Sequence, residues 1–146
     1  NTKILTFEPH MHAPGIRMCL EAIWGHSIET LTCAGYDHNW VRSYVYADDA
    51  APLLPEGTIL HLVGYMDTTP SNRNVADPRN WGGGGRRSVA NMFIDLGEGI
   101  ALDDTEFERE MLERRTRLEL TKNDYVLGCP LCLVEFPSQM EAEGGQ

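Results

Sequence analysis

Short apolar runs separated by turn-forming residues dominate the first two thirds of the chain. The runs have the length of strands and are rich in β-branched and aromatic residues, whereas glycine, proline, asparagine and aspartate fill the turns. Many short strands at close spacing are typical of two antiparallel sheets packed face to face. The pattern predicts an all-β fold, an antiparallel β-sandwich, with strands at Ile4–Phe7, Ile16–Trp24, Ile28–Cys33, Val41–Tyr46, Thr58–Met66 and Val89–Leu96.

After Gly99 the apolar residues recur at about 3.6 positions, the period of an α-helix. Asp103, Asp104 or Thr105 can cap its first turn. The positions that recur at helical spacing are Phe107, Met111, Leu112, Arg115 and Leu118. The chain therefore divides into a sandwich over 1–100, one C-terminal helix over 101–122, a Cys-x-x-Cys segment over 123–136 and a disordered tail over 137–146.

Length and charge exclude several classes of protein. A chain of 146 residues is long enough for one domain with a substantial core. Its 12 basic and 22 acidic side chains give a net charge of −10, which argues against nucleic acid as a partner, and the pair Arg86-Arg87 is too small to reverse this. No apolar run approaches the ~20 residues that a membrane span needs. Because the chain starts at Asn1, we expect a processed protein or a piece of a longer one.

The four cysteines form two pairs. Cys19 and Cys33 lie in neighbouring apolar runs, and residue 26, midway between the two cysteines, is in the turn that joins the runs. The two cysteines are therefore expected to face each other across a hairpin. This pair predicts a disulfide, and two buried free thiols are the alternative. Cys129 and Cys132 suit a local disulfide, a redox dithiol or half of a zinc site. We favour a disulfide there, or a metal such as zinc shared with another chain, because the sequence has no second half-site.

The polar segment between Asp67 and Ser88 is long for a loop in a compact domain, and it ends in a run of glycines. It lacks the strand-to-helix context and the Lys-Ser/Thr of a phosphate-binding loop, so a flexible flap is predicted. Asn72, Asn74 and Asp77 offer side-chain oxygens that can cap turns within it.

Two histidines flank a methionine in His10-Met11-His12, and a further methionine, Met92, lies far downstream. In an extended segment, His10 and His12 point to one side and Met11 to the other. Two imidazoles and a thioether form a set that selects copper, whereas zinc more often takes thiolate or carboxylate. The alternative is a chance His-x-His with Met92 as core filling.

These motifs resemble the C-terminal domain of the type II copper, ascorbate-dependent monooxygenases, the peptidylglycine α-hydroxylating and dopamine β-monooxygenase group. His10-Met11-His12 with Gly15, and Met92 before Phe93 and Ile94, carry the likeness, and that methionine lies 80 positions after the second histidine. Bacterial single-domain relatives are similar through Tyr36–Trp40, Gly64–Asp67 and Asn74–Pro78. The resemblance covers about residues 3–97 and excludes the helix and the Cys-x-x-Cys segment.

The resemblance implies an eight-stranded antiparallel jelly roll and a copper ion held by His10, His12 and Met92, at which O₂ is activated for attack on a substrate C–H bond. Asp37 and His38 are candidates to support the ligands by hydrogen bonding or, for His38, to add a ligand. No second, all-histidine copper motif is present, so electrons would come from another protein or domain, or from a small reductant.

Three functions follow from these residues. The first is the oxygen-activating half of a copper monooxygenase-like protein with an unidentified small-molecule substrate. The second is a copper electron-transfer or metal-handling module without oxygenase activity, and the third is a structural sandwich with a vestigial site. Copper and disulfides both suit a periplasmic or extracellular setting.

Overall fold

The computed structural model describes residues 1–79 and 83–119. Within them it contains ten strands and one helix. The strands are β1 (Thr2–Ile4), β2 (Thr6–Phe7), β3 (Pro9–Met11), β4 (Gly15–Trp24), β5 (Ser27–Gly35), β6 (Tyr44–Val45), β7 (Leu53–Leu54), β8 (Ile59–Met66), β9 (Phe93–Asp95) and β10 (Gly99–Ala101), and the helix is α1 (Asp104–Arg117).

The first layer is organised by the N-terminal segment, which is extended as β1, β2 and β3. β1 lies between β10 and β7, β2 pairs with β6, and β3 pairs with β9, all antiparallel. Two predicted strands are shorter than expected, because only Tyr44–Val45 and Phe93–Asp95 pair within the runs Val41–Tyr46 and Val89–Leu96. Ladder pairing, rather than β-propensity, therefore set where these strands begin and end.

The second layer is the sheet β5-β4-β8. Its hairpin turns at Gly25, whose φ of 54° favours glycine, and Trp24 pairs with Ser27. A bulge between Leu20 and Glu21 shifts the register by one residue, and as a result Cys19 pairs with Cys33. The predicted disulfide between those cysteines is confirmed, with Cα atoms 4.1 Å apart.

The core lies between these two layers. Ile4, Phe7 and Met11 project into it from the first layer, and Met18 and Leu20 from the second. Phe7, Met11 and Met18 are fully buried. The predicted fold class, an antiparallel β-sandwich with one C-terminal helix, is confirmed. The described residues form ten strands, of which β3, β7 and β10 lie outside the six runs that the sequence pattern predicted.

Helix α1 begins where the sequence predicted. Asp103 is its N-cap and forms a capping box with Glu106, in which each side chain accepts a hydrogen bond from the other residue's backbone N–H. The helix ends at Arg117 rather than near residue 122, because Leu118 is its C-cap and Glu119 takes a φ of 56°. No helix among the described residues is long and apolar enough to cross a membrane.

Polar side chains make the described contacts between α1 and the sandwich. Arg114 is the buried residue of the helix and donates to the carbonyl of Ala51 at 2.8 Å. Glu110 accepts from Nζ of Lys3 at 2.7 Å. Leu112, one of the predicted apolar positions, is exposed. The helical period was therefore predicted correctly, and of the predicted positions Phe107 and Met111 are half-buried whereas Leu112 and Leu118 are exposed.

Candidate metal centre

The strand pair β3–β9 positions the predicted ligands. Its register pairs His10 with Ile94 and Met11 with Phe93. His12 directly follows β3 and Met92 directly precedes β9, so both residues lie at the same end of this antiparallel pair. A backbone hydrogen bond from Ala13 to the carbonyl of Ser88, 2.9 Å long, holds the two segments together just beyond this point. Residues far apart in the chain are thus brought to one end of a strand pair.

His10 and His12 lie side by side, with ring centroids 5.6 Å apart and ring planes at 78°. Met11 between them is fully buried in the core and fixes the strand. A metal about 2.0 Å from an imidazole nitrogen lies roughly 3.2 Å from the ring centre, so one ion can contact two rings with centres up to about 6.4 Å apart. The observed separation falls within that limit.

The Nδ1 atom of His12 is buried and has no hydrogen-bond partner within the described part of the chain. The residue as a whole is only 7% exposed. Buried polar atoms are nearly always satisfied, so an unpartnered one calls for a partner such as an ordered water or an ion. A neutral imidazole nitrogen with no protein partner can ligate a metal ion. His10 is half-buried, so the pair has one sheltered and one more open imidazole.

The turn after His12 is held by contacts that the sequence did not reveal. The carbonyl of His12 accepts from the backbone N–H of Gly15 at 2.7 Å. The side-chain amide of Asn72 donates to the carbonyls of Ala13 and Asp67, at 3.2 and 2.8 Å. Asn72 was expected to cap a turn in its own loop, and its side-chain oxygen does accept from the backbone of Asn74 at 3.0 Å. Its second role, joining that loop to the turn beside His12, had no local signal.

Tyr36 contacts the ligand-bearing strand through its hydroxyl group, which donates to the carbonyl of Met11. Burial raises the pKa of the Tyr36 phenol. Together with Pro9, Trp40 and Tyr44, Tyr36 lines an open cavity of about 210 Å³. Sequence reasoning missed Tyr36 as a neighbour of the ligands.

Asp37 and His38 were predicted to support the ligands, and their described contacts are local. A carboxylate oxygen of Asp37 accepts from the backbone N–H of Asn39 at 2.9 Å, which closes its own turn. Nδ1 of His38 is buried without a described partner. No group of three His, Cys, Asp or Glu side chains that could hold a metal occurs in residues 1–79 and 83–119. His38 is therefore not grouped with the two predicted imidazole ligands.

The cysteines of the described residues are not available as ligands for the candidate metal centre. Cys19 and Cys33 are joined to each other and so cannot act as thiolate ligands. Cys129 and Cys132, predicted as a disulfide or a second metal site, lie outside the described residues. The candidate donor set is therefore two imidazoles and the thioether of Met92, a half-buried side chain.

Comparison of the chain with models of protein families, with curated proteins and with solved structures finds no match.

Proposed function

We propose that this protein is a mononuclear type II copper domain in which His10, His12 and Met92 hold the ion. By its resemblance to the copper monooxygenases, it acts as the oxygen-activating half of a monooxygenase-like protein that takes electrons from outside the chain. The disulfide suits an oxidising compartment, so we propose a periplasmic or extracellular location.

The observation that carries the proposal is the buried, unpartnered Nδ1 of His12 beside the ring of His10. Leaving a buried polar atom without a partner is unfavourable by about 1–3 kcal/mol. A bound metal ion removes that penalty and uses both imidazoles. A core histidine with a purely structural role would instead be expected to have a hydrogen-bond partner.

Met92 is the residue that selects the metal. It directly precedes β9, at the end of the strand pair where His12 follows β3, and this position supports its role as the third ligand. Thioether sulfur is a soft ligand and favours Cu(I), whereas imidazole binds both oxidation states of copper. The set therefore stabilises the reduced ion without excluding the oxidised one.

The surface beside His10 suits an apolar, uncharged substrate. Ile94 pairs directly with His10 across the two strands and is 44% exposed, so an aliphatic side chain borders the more open imidazole. Copper bound here would supply the activation of O₂ for C–H hydroxylation. A peptide carboxylate would meet Glu8 and the exposed aliphatic side chain of Leu96. Peptide amidation is therefore not part of the proposal.

The first experiment is metal analysis with separate Cu(I) and Cu(II) titrations of the purified chain. We expect one copper per chain, lost in a His10→Ala/His12→Ala variant. His61→Ala is the matched control, because His61 is exposed and hydrogen-bonds Glu21 on the other sheet. An unchanged copper content in the double variant would remove both histidines from the site.

A second pair of variants tests the thioether. Met92→Ile should weaken Cu(I) binding much more than Cu(II) binding, because only the soft ligand is lost. Met111→Ile, in the half-buried part of α1, controls for the loss of a methionine. Equal weakening of both oxidation states would exclude Met92 as a ligand.

Oxygen consumption distinguishes the proposed oxygenase from a copper electron-transfer or metal-handling module. The copper-loaded chain should consume O₂ with a reductant only when a hydroxylatable substrate is present. Stoichiometric copper with rapid redox cycling, but with no substrate-dependent consumption of O₂ across a panel of small apolar compounds, would favour the module.

A further inference from the structure

The loop between β8 and β9 is basic in a chain whose net charge is −10. It contains four arginines and two aspartates. Arg73, Arg86 and Arg87 are exposed, and within the described residues none of their guanidinium groups has an ion-pair or hydrogen-bond partner. We call these three side chains the basic rim. Unpaired arginines in an acidic protein produce a local positive potential that can orient a charged partner.

Arg79 belongs to the same loop but not to the rim. Its guanidinium bonds both carboxylate oxygens of Asp77, at 3.0 and 3.1 Å. This bidentate pairing neutralises its charge locally. The loop therefore provides paired and unpaired arginines of the same chemistry, in similar exposed positions.

The backbone of the basic rim is tied to the turn that follows the candidate ligand His12. Arg73 follows Asn72, whose side chain donates to the carbonyl of Ala13. Arg87 precedes Ser88, whose carbonyl accepts from the N–H of the same Ala13. Ala13 is next to the predicted ligand His12. Arg73 and Arg87 are therefore each next to a residue that hydrogen-bonds Ala13.

The segment that carries Arg86 and Arg87 is held in place by backbone contacts. Gly84 and Asn91 form an isolated bridge, and the carbonyl of Arg87 accepts from the N–H of Ala90 at 2.8 Å. The two side chains are therefore presented from a closed turn beside β9. A fixed arrangement of charges reduces the entropy lost when a partner binds.

Exposed apolar side chains lie in the same region. Val89 follows the arginine pair, and Phe93 and Ile94 lie on β9, all with large exposed fractions. Apolar contacts surrounded by charged residues are the usual composition of a protein–protein interface. Because the basic rim is exposed rather than enclosed in a cavity, it is better suited to contact the surface of another protein than to bind a small anion.

We propose that the basic rim docks an acidic electron-donor protein beside the candidate copper centre. This inference rests on the proposed function, which requires electrons from outside the chain. In each encounter the reduced donor loses one electron and the oxidised copper centre gains it, with no bond made or broken. The strong negative charge of the remaining surface repels an acidic donor elsewhere and so favours this orientation.

Docking is tested first on the copper-free chain, so that the result does not depend on the metal. The probe is a short fluorescein-labelled polyglutamate peptide, and binding is followed by fluorescence anisotropy at low salt. We expect binding that disappears at about 1 M salt, where charges are screened within about 3 Å. Arg73→Gln and Arg87→Gln should each weaken it about two- to fivefold, the range expected for one exposed ion pair.

Arg79→Gln is the matched control, because it removes the same charge from the same loop but from a paired arginine. We expect it to leave peptide affinity nearly unchanged. A loss as large as that of Arg87→Gln would show that only the general charge of the loop matters, and it would overturn the docking site. Citrate that displaces the peptide with equal affinity would indicate a small-anion site and would also overturn it.

Electron delivery is tested on the copper-loaded chain with a reduced flavodoxin, an acidic flavin protein, as the donor. Loss of the Cu(II) signal in electron paramagnetic resonance gives the reduction rate. The triple variant of the rim should be reduced at least about tenfold more slowly at low salt, and equally fast at high salt. Peptide binding without any copper would refute electron delivery and the proposed function, while leaving the basic rim as a docking surface for acidic partners. Copper binding without a rim effect would refute only the docking.

Discussion

Replacing Gly15 by alanine should separate the candidate ligands by forcing β3 away from the turn that follows it. A Cβ added at Gly15 would lie 2.5 Å from Cβ of Met11 and 2.9 Å from its sulfur atom. Carbon atoms in contact prefer about 3.5–4.0 Å. Because the closer atom is also a Cβ fixed to the backbone, a rotamer change cannot relieve the overlap. The backbone at Met11, between the two histidines, must therefore move by roughly 1 Å.

Two opposing contributions determine how much Gly15→Ala changes the free energy of unfolding. Overpacking of this kind destabilises by about 1–3 kcal/mol, and the fixed backbone puts Gly15→Ala near the upper end. Loss of glycine's freedom in the unfolded chain returns about 0.4–1 kcal/mol. The net loss is about 2 kcal/mol, which lowers Tm by roughly 4–8 °C for a chain of this size.

Gly35→Ala is the matched control. Gly35 has an ordinary φ, and an added Cβ there would have no atom within 4 Å. It should leave the protein as stable as before, or slightly more stable. Thermal and urea unfolding of the two variants, with copper titration of each, tests the argument. Equal Tm values, or unchanged copper affinity in Gly15→Ala, would show that close approach at Gly15 does not set the position of the histidines.

Further predictions concern contacts around the site and at the far end of the sandwich. Asn72→Ala removes donors to two carbonyls, at 3.2 and 2.8 Å, and should lower the free energy of unfolding by about 1–3 kcal/mol. Asn74→Ala, which loses only an exposed contact, should lower the free energy of unfolding in urea by less. A larger loss for Asn74→Ala than for Asn72→Ala would contradict the role of Asn72 in joining its loop to the turn beside His12. The Cys19–Cys33 disulfide closes a loop with a sequence separation of 14, so reduction or a double alanine variant should lower stability by about 3 kcal/mol; a reductant that leaves the urea midpoint unchanged would refute this. For Lys3, burial alone lowers the pKa, but hydrogen bonds to two carboxylates outweigh it and raise the pKa above 10.5. Its stabilisation is therefore complete below pH 10.5 and is lost as pH rises through the higher folded-state value, so Lys3→Met should flatten this alkaline decline, and parallel curves for the two proteins would exclude the contribution.

Local sequence features were predicted correctly where neighbouring residues determine the structure. The capping box at Asp103 and Glu106 depends on residues three positions apart, and it was visible as an N-cap before a helical period. The extended form of His10-Met11-His12 follows from alternation alone, and it puts Met11 in the core. The pairing of Cys19 with Cys33 also follows from position about a turn, although the midpoint argument missed the bulge that fixes the register.

The helix shows how tertiary contacts override a correct local pattern. Apolar periodicity predicted the element and its half-buried Phe107 and Met111, but not the burial of Arg114, which donates to the carbonyl of Ala51. Lys3 is only 5% exposed, and it bonds Asp48 and Glu110. Charged side chains can be buried when partners satisfy them, and those partners come from distant parts of the chain. Hydropathy at single positions therefore could not identify these contacts.

The sequence by itself determined the strand-rich fold, the start of the helix, the hairpin disulfide and the side-by-side histidines, because each depends on short-range spacing. Only the tertiary structure decided what surrounds those histidines. The pairing of β3 with β9 brings Met92 and His12 to the same end of one strand pair, and Asn72 reaches Ala13 across 59 residues. Such contacts depend on which strands pair and in what register, which is set by burying one common core and satisfying its backbone hydrogen bonds. No local pattern contains that information.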